Sequence, residues 1–115
     1  MTDAAWLTVP DFADRLGITP SAVREMLREG HLFAVRRGER QTLQIPADVI
    51  VEGDAGPEVL ATLRGTLTLL HDVGMDDAEC GDWLLAEEEE LGMSPLEALR
   101  QGRRAHVRRV AQSLL

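Results

Sequence analysis

Lysine and tyrosine do not occur in this 115-residue chain, cysteine occurs once, and the aromatic side chains are two Trp and two Phe. A single thiol, Cys80, excludes a disulfide within the chain and a cysteine-based zinc site. It shares a helical face with Trp83 and Leu84, which reads as a packed, inert thiol rather than a reactive one. His31, His71 and His106 are scattered, with no H-E-x-x-H and no carboxylate at ligand spacing, so no metal and no other cofactor is expected. No nucleophile stands at a recognisable spacing from a base, no glycine-rich phosphate loop is present, and His71-Asp72 is a chance pair. An enzyme is therefore not expected. No apolar run approaches the roughly 18 residues of a membrane span, and Asp3 stands where a signal peptide carries base, so the expectation is a soluble, cytoplasmic protein with no membrane partner.

Hydrophobic residues make up 44% of the chain, enough for a core, which must be mostly aliphatic given the few aromatics. All the cationic charge is arginine, and it is unevenly placed. Residues 1–50 hold six Arg against seven acids, residues 51–99 one Arg against thirteen acids, and residues 100–115 five Arg and no acid, for the net charge of -8. An acidic middle is flanked by two segments able to present local positive charge.

The first helix is signalled by Thr8 as N-cap, Asp11 at N3 and a Leu7–Phe12 staple. Val9, Phe12, Ala13 and Leu16 then recur at helical spacing, and Gly17 closes the element. Thr19 caps a second helix with Pro20 at N1, and Val23, Met26 and Leu27 form its apolar face up to Gly30. Two short helices joined by the tight "GIT" turn make a helix-turn-helix. Leu32–Val35 and Thr42–Ile45 read as strands around the turn "RRGER", a two-stranded wing, and "PADVI" as one helical turn. Residues 52–57, "EGDAGP", read as a linker. A helix is expected from Pro57 to Val73, a second after the D-x-x-E cap of Asp76 and Glu79, a third after "SPLE" at Ser94, and a last one marked by Val107, Val110, Ala111 and Leu114. "EEEE" at 87–90 reads as a solvated loop or a frayed helix end. The broad apolar face from Val59 to Val73 suits either an intramolecular core or a dimer seam.

The predicted fold is mainly α: a winged helix-turn-helix with a β-hairpin wing over 1–52, followed by a small helical domain over 57–115. Double-stranded DNA is the expected partner. A helix fits the major groove, where Arg24 and Arg28, one turn apart on the exposed face, have the reach for guanine. Thr19 and Ser21 at the helix start suit phosphate. Arg36, Arg37 and Arg40, with Gln41 beside them, would lie on the backbone or in the minor groove. The competing reading is ordinary surface charge, in which Glu25 and Glu29 pair with the helix arginines and contribute little. In "RQGRRAHVRR", Arg104 and Arg108 are like charges at i, i+4 and need an offset. DNA phosphate would serve, and so would the acidic segment 76–90, within the chain or across a dimer; the nearness of thirteen acids favours the second.

The stretch "LTVPDFADRLGITPSAVREMLREGHLFAVRRG" followed by "QIP" resembles the winged helix-turn-helix of the MerR and excisionase class. Glu39, Arg37 and a wing about two residues longer depart from the simplest excisionase pattern. With "LRGTLTLLHDVGMDDAECGDWLL" and "SPLEALRQGRRAHVRRVAQSL", nearly the whole chain is similar to a small actinobacterial family of winged-helix DNA-binding proteins with an appended helical domain. The resemblance implies a transcriptional regulator or nucleoid-associated factor. The tail is also similar to the toxin-binding region of certain helix-turn-helix antitoxins, which implies the alternative of a module whose C-terminal helices bind a protein partner or a second copy.

Overall fold

The computed structural model describes residues 5–114. Its elements follow from local signals more often than from distant ones. Strand β1 (Trp6–Thr8) runs directly into helix α1 (Val9–Leu16), because the Thr8 hydroxyl accepts from the Asp11 N–H and starts the helix. Gly17, at φ 70°, ends it in the left-handed conformation that glycine adopts without strain. Helix α2 (Pro20–Arg28) begins at Thr19, whose hydroxyl accepts from the Ala22 N–H at 3.1 Å. Phe12, Ala13 and Val23 are buried where the two helices meet.

Strands β2 (Val35–Arg37) and β3 (Thr42–Pro46) pair antiparallel, with Arg36 opposite Leu43 and Arg37 opposite Thr42. The hairpin is not free-standing. β1 pairs with the other edge of β3, Leu7 opposite Ile45, giving a three-stranded sheet of order β1-β3-β2. The expected first wing strand, Leu32–Val35, begins only at its last residue. Leu32, Phe33 and Ala34 are all buried, which the alternation of a strand with one solvent face does not allow, and the Ala34 N–H turns to the Asp77 carboxylate at 3.4 Å.

A 3-10 turn at Ala47–Val49 matches the "PADVI" reading. The expected linker does not follow. Residues 52–57 fall in a hairpin of β4 (Ile50–Gly53) and β5 (Gly56–Val59), closed by Gly53 opposite Gly56 with only Asp54 and Ala55 between them. Pro57 and Val59 belong to β5, so helix α3 (Leu63–Asp72) begins six residues later than the apolar spacing suggests.

Helix α4 (Asp77–Leu85) opens on the full Asp76/Glu79 capping box, each side chain accepting from the other residue's N–H. Residues 87–90 lie outside any helix. Helix α5 (Pro95–Arg100) starts at Ser94, whose hydroxyl accepts from the Glu97 N–H, and α6 (Arg104–Gln112) follows. Val107, Val110 and Ala111 are buried, whereas Leu114 lies beyond the helix and is 42% exposed. Leu63, Leu67 and Leu70 of α3 are fully buried within the chain, so the broad apolar face closes an intramolecular core.

One apolar cluster runs through the molecule, from Phe12, Phe33 and Ile45 to Leu67, Leu84 and Leu99. The seam between its halves is built from specific contacts. Gly81 on α4 lies so close to Phe33 and Val35 that a Cβ there would stand 3.1 Å from the Phe33 ring. The Asp77 carboxylate takes the Ala34 N–H with one oxygen and meets His71 Nε2 at 2.9 Å with the other. Arg100 donates to the carbonyls of Asp48 at 2.7 Å and Ile50 at 3.0 Å. Among the described residues no helix is long and apolar enough to cross a membrane.

Candidate nucleic-acid interface

Helix α2 turns Val23 into the core, which leaves Ser21, Arg24, Glu25 and Arg28 on its exposed side. Arg28 meets Glu25 at 3.0 Å, with both side chains more than half exposed. In water such a pair is weak and exchanges readily, so Arg28 is restrained rather than consumed. Among the described residues Arg24 carries no ion pair and Ser21 no side-chain hydrogen bond. The Thr19 hydroxyl is occupied by its own helix cap.

The β2–β3 hairpin sorts its arginines by strand alternation. Arg36 and Arg37 are neighbours and must point to opposite faces. Arg36 reaches across the turn and donates to the Gln41 carbonyl at 3.2 Å, while the Gln41 amide donates to the Gly38 carbonyl at 2.9 Å. The turn Gly38–Gln41 is thereby stiffened, with Gly38 at φ 79° and Gln41 at φ 51°, the one non-glycine residue with positive φ among those described. Arg37 lies on the face of Val35, its guanidinium carbon 4.2 Å from the centre of the Trp6 ring. That geometry is a cation–π contact. Arg37 and Trp6 line a cleft of about 530 Å³ against Gly81, Asp82 and Leu85 of α4. Arg40, at the tip, is exposed and makes no hydrogen bond or ion pair among the described residues.

The eight residues singled out by the sequence thus divide. Arg24, Arg28, Ser21 and Arg40 present exposed groups on the helix and the hairpin tip; Thr19, Arg36 and Gln41 also serve the local backbone; Arg37 faces α4 and Trp6. Trp6 escapes a reading of the sequence, because the three-residue β1 that carries it has no local signature. The C-terminal arginines divide in the same way. Arg100 holds the Asp48 and Ile50 carbonyls, and Arg103 donates to the Leu91 carbonyl at 3.0 Å and stands 2.9 Å from His106 Nδ1. The expected pairing of Arg104 and Arg108 with acids 76–90 does not form among the described residues. Both arginines instead line a recess with Thr62, Gly65, Thr66 and Leu69.

Cys80 is fully buried. Burial, reinforced by the carboxylates of Asp77, Asp76 and Glu79, pushes its thiol up to about 11, so it carries no thiolate near neutrality. Among the described residues no group of three His, Cys, Asp or Glu side chains is placed to hold a metal ion.

Residues 1–50 match the family model "DNA-binding protein Rv2175c, wHTH domain", and residues 60–114 match "Rv2175c C-terminal domain of unknown function". The DNA-binding protein Rv2175c of Mycobacterium tuberculosis is 33% identical over 118 residues, 92% of this chain and 77% of that protein. The chain belongs to the Rv2175c family. The NMR structure of Rv2175c superposes with a TM-score of 0.82 at 32% identity, covering 99% of this chain and 83% of that one. The similarity therefore includes the helical C-terminal part as well as the winged helix-turn-helix, and the mainly α architecture is that of the Rv2175c structure.

Proposed function

We propose that this protein works by occupying double-stranded DNA, as a transcriptional regulator or nucleoid-associated factor. The observation that carries this reading is Arg24, without an ion pair among the described residues, on the exposed side of a helix-turn-helix whose family relative is named a DNA-binding protein. Helix α2 enters the major groove, where Arg24 reads a guanine edge and Arg28 exchanges Glu25 for the duplex. Ser21 and the first-turn N–H groups of α2 meet a phosphate. The hairpin acts as the wing: Arg36 and Gln41 stiffen its tip, and Arg40 reaches the backbone. Arg37 supports the wing from behind through Trp6. A net charge of -8 disfavours indiscriminate coating of DNA, because non-specific affinity comes from phosphate neutralisation. Binding through one local patch fits better.

The test is fluorescence anisotropy of labelled duplexes of several sequences at about 50 and 200 mM salt. Affinity that falls as salt rises, with a preference among sequences, is the expected result. Absence of binding to every duplex at low salt would remove the reading.

A further inference from the structure

Glu25 stands among the exposed residues of α2, between Arg24 and Arg28, and puts a negative charge where the helix would approach a polyanion. Arg28 Nη2 lies 3.0 Å from Glu25 Oε2, and the two side chains are 70% and 51% exposed. So open a pair, three residues apart on one helix, adds little stability. Its consequence lies in binding instead. Arg28 is one turn beyond both Arg24 and Glu25, so the three charges flank one stretch of the helix surface.

Once Arg28 turns to the duplex, the Glu25 carboxylate is left beside phosphates without its cation. An ionised carboxylate only accepts hydrogen bonds, so it needs a donor from the duplex itself. In the major groove guanine and the O4 of thymine present acceptors. Adenine presents its N6 amino group beside the N7 acceptor, and cytosine its N4 amino group with no acceptor next to it. Of the four base edges, that of cytosine is the one a carboxylate meets without repulsion.

We propose that Glu25 is a specificity-determining residue, whose carboxylate accepts a hydrogen bond from the N4 amino group of a cytosine in the major groove. This role rests on α2 entering that groove, and it narrows the target to a site with a G·C pair facing the middle of the helix. Where no cytosine is offered, the carboxylate stays opposed to the phosphates, so the same group that favours one site lowers affinity for the others. Glu29, four residues on, caps the end of α2 and lies 3.9 Å from His31, outside the turn that Arg24 and Arg28 bracket. It carries the same charge at another position and serves as the control.

The experiment is selection of duplexes from a pool with a randomised core, by the native full chain and by Glu25→Ala, Glu25→Gln, Arg28→Ala and Glu29→Gln. Circular dichroism checks that each variant is folded, and anisotropy then measures the selected duplex and its single-base-pair variants. The native chain is expected to select cytosine at one position, and replacing that pair should weaken binding about tenfold. Glu25→Ala should lose the preference at that position alone. Glu25→Gln should move it from cytosine towards adenine, whose N6 and N7 suit a carboxamide. Arg28→Ala should relax a different position, and Glu29→Gln should leave the cytosine preference in place. An unchanged preference in folded Glu25→Ala, a loss confined to the position that Arg28→Ala relaxes, or an equal effect of Glu29→Gln would overturn the proposal, because the carboxylate would then be idle, act through Arg28 or act through net charge. A native chain that retains no duplex at about 50 mM salt removes the DNA reading and this role together. Selection by the native chain with Glu25→Ala unaltered removes this role alone.

Discussion

The β2–β3 and β4–β5 hairpins both use a glycine with positive φ, Gly38 at 79° and Gly56 at 118°, yet the first carries Arg36, Arg37 and Arg40 against Glu39, while the second carries Glu52, Asp54 and Glu58 without a base. They are also anchored differently. The basic hairpin is braced near its tip by the Arg36–Gln41 bond and along one face by Trp6, whereas the acidic one is held at its root, where Arg100 clamps the Asp48 and Ile50 carbonyls. An acidic protein can bind a polyanion only by segregating its charge. Beyond about 10 Å at 0.1 M salt, screening hides acids that face away, so the acidic hairpin is tolerable so long as it stays off the duplex, and it discourages docking on its own side.

The largest effect that would sharpen this contrast is on DNA affinity. Replacing Arg24 and Arg40 together by alanine should weaken duplex binding roughly ten- to hundredfold and make the salt dependence shallower by about 0.9 for each phosphate no longer neutralised, measured by anisotropy. Asp54→Asn should change affinity less than about threefold; a gain comparable to the loss from the double variant would place the acidic hairpin inside the interface and break the comparison. Next come the glycines. Gly56→Ala should cost about 2 kcal/mol and Gly38→Ala about 1 kcal/mol in urea unfolding, because φ near 79° borders the left-handed basin that other residues visit and 118° does not. Arg100→Ala should cost about 1 to 2 kcal/mol while leaving the affinity of the folded protein for DNA unchanged. The smallest effect belongs to Arg37→Ala, about 0.5 to 1 kcal/mol of stability with a change in Trp6 emission. A drop in DNA affinity as large as that from Arg40→Ala would instead assign Arg37 to the duplex.

Legibility in the sequence follows the range of the interaction. Helix starts at Thr8, Thr19, Asp76 and Ser94 are readable because a cap spans three residues, and each forms as expected. Strand β1 is not, since its partner lies in residues 44–46 and nothing within Trp6–Thr8 announces it. The β4–β5 hairpin reads as a linker because Gly, Asp and Pro signal both, and only the pairing of Ile50 with Val59 distinguishes them. That same strand displaces the start of α3: Val59 and Leu60 continue the helical spacing of Leu63 and Leu67 by coincidence, and Thr62 does not cap. In the candidate site, residue type places Arg24 and Arg40 on exposed elements. It does not show that Arg37 lies against Trp6, or that Arg100 finds carbonyls about 50 residues away.

The place of β3 in the middle of its sheet also governs the order in which the protein can fold. Its partner β1 precedes both helices, so the pairing of Thr8 with Gln44 closes a loop of about 36 residues, an entropic cost met only when α1 and α2 have already brought the ends together. On the ribosome, α1 and α2 would emerge before the strand that anchors them. A nascent chain shorter than Pro46 would have helices without a floor, and binding competence would arrive late and all at once rather than grow with length.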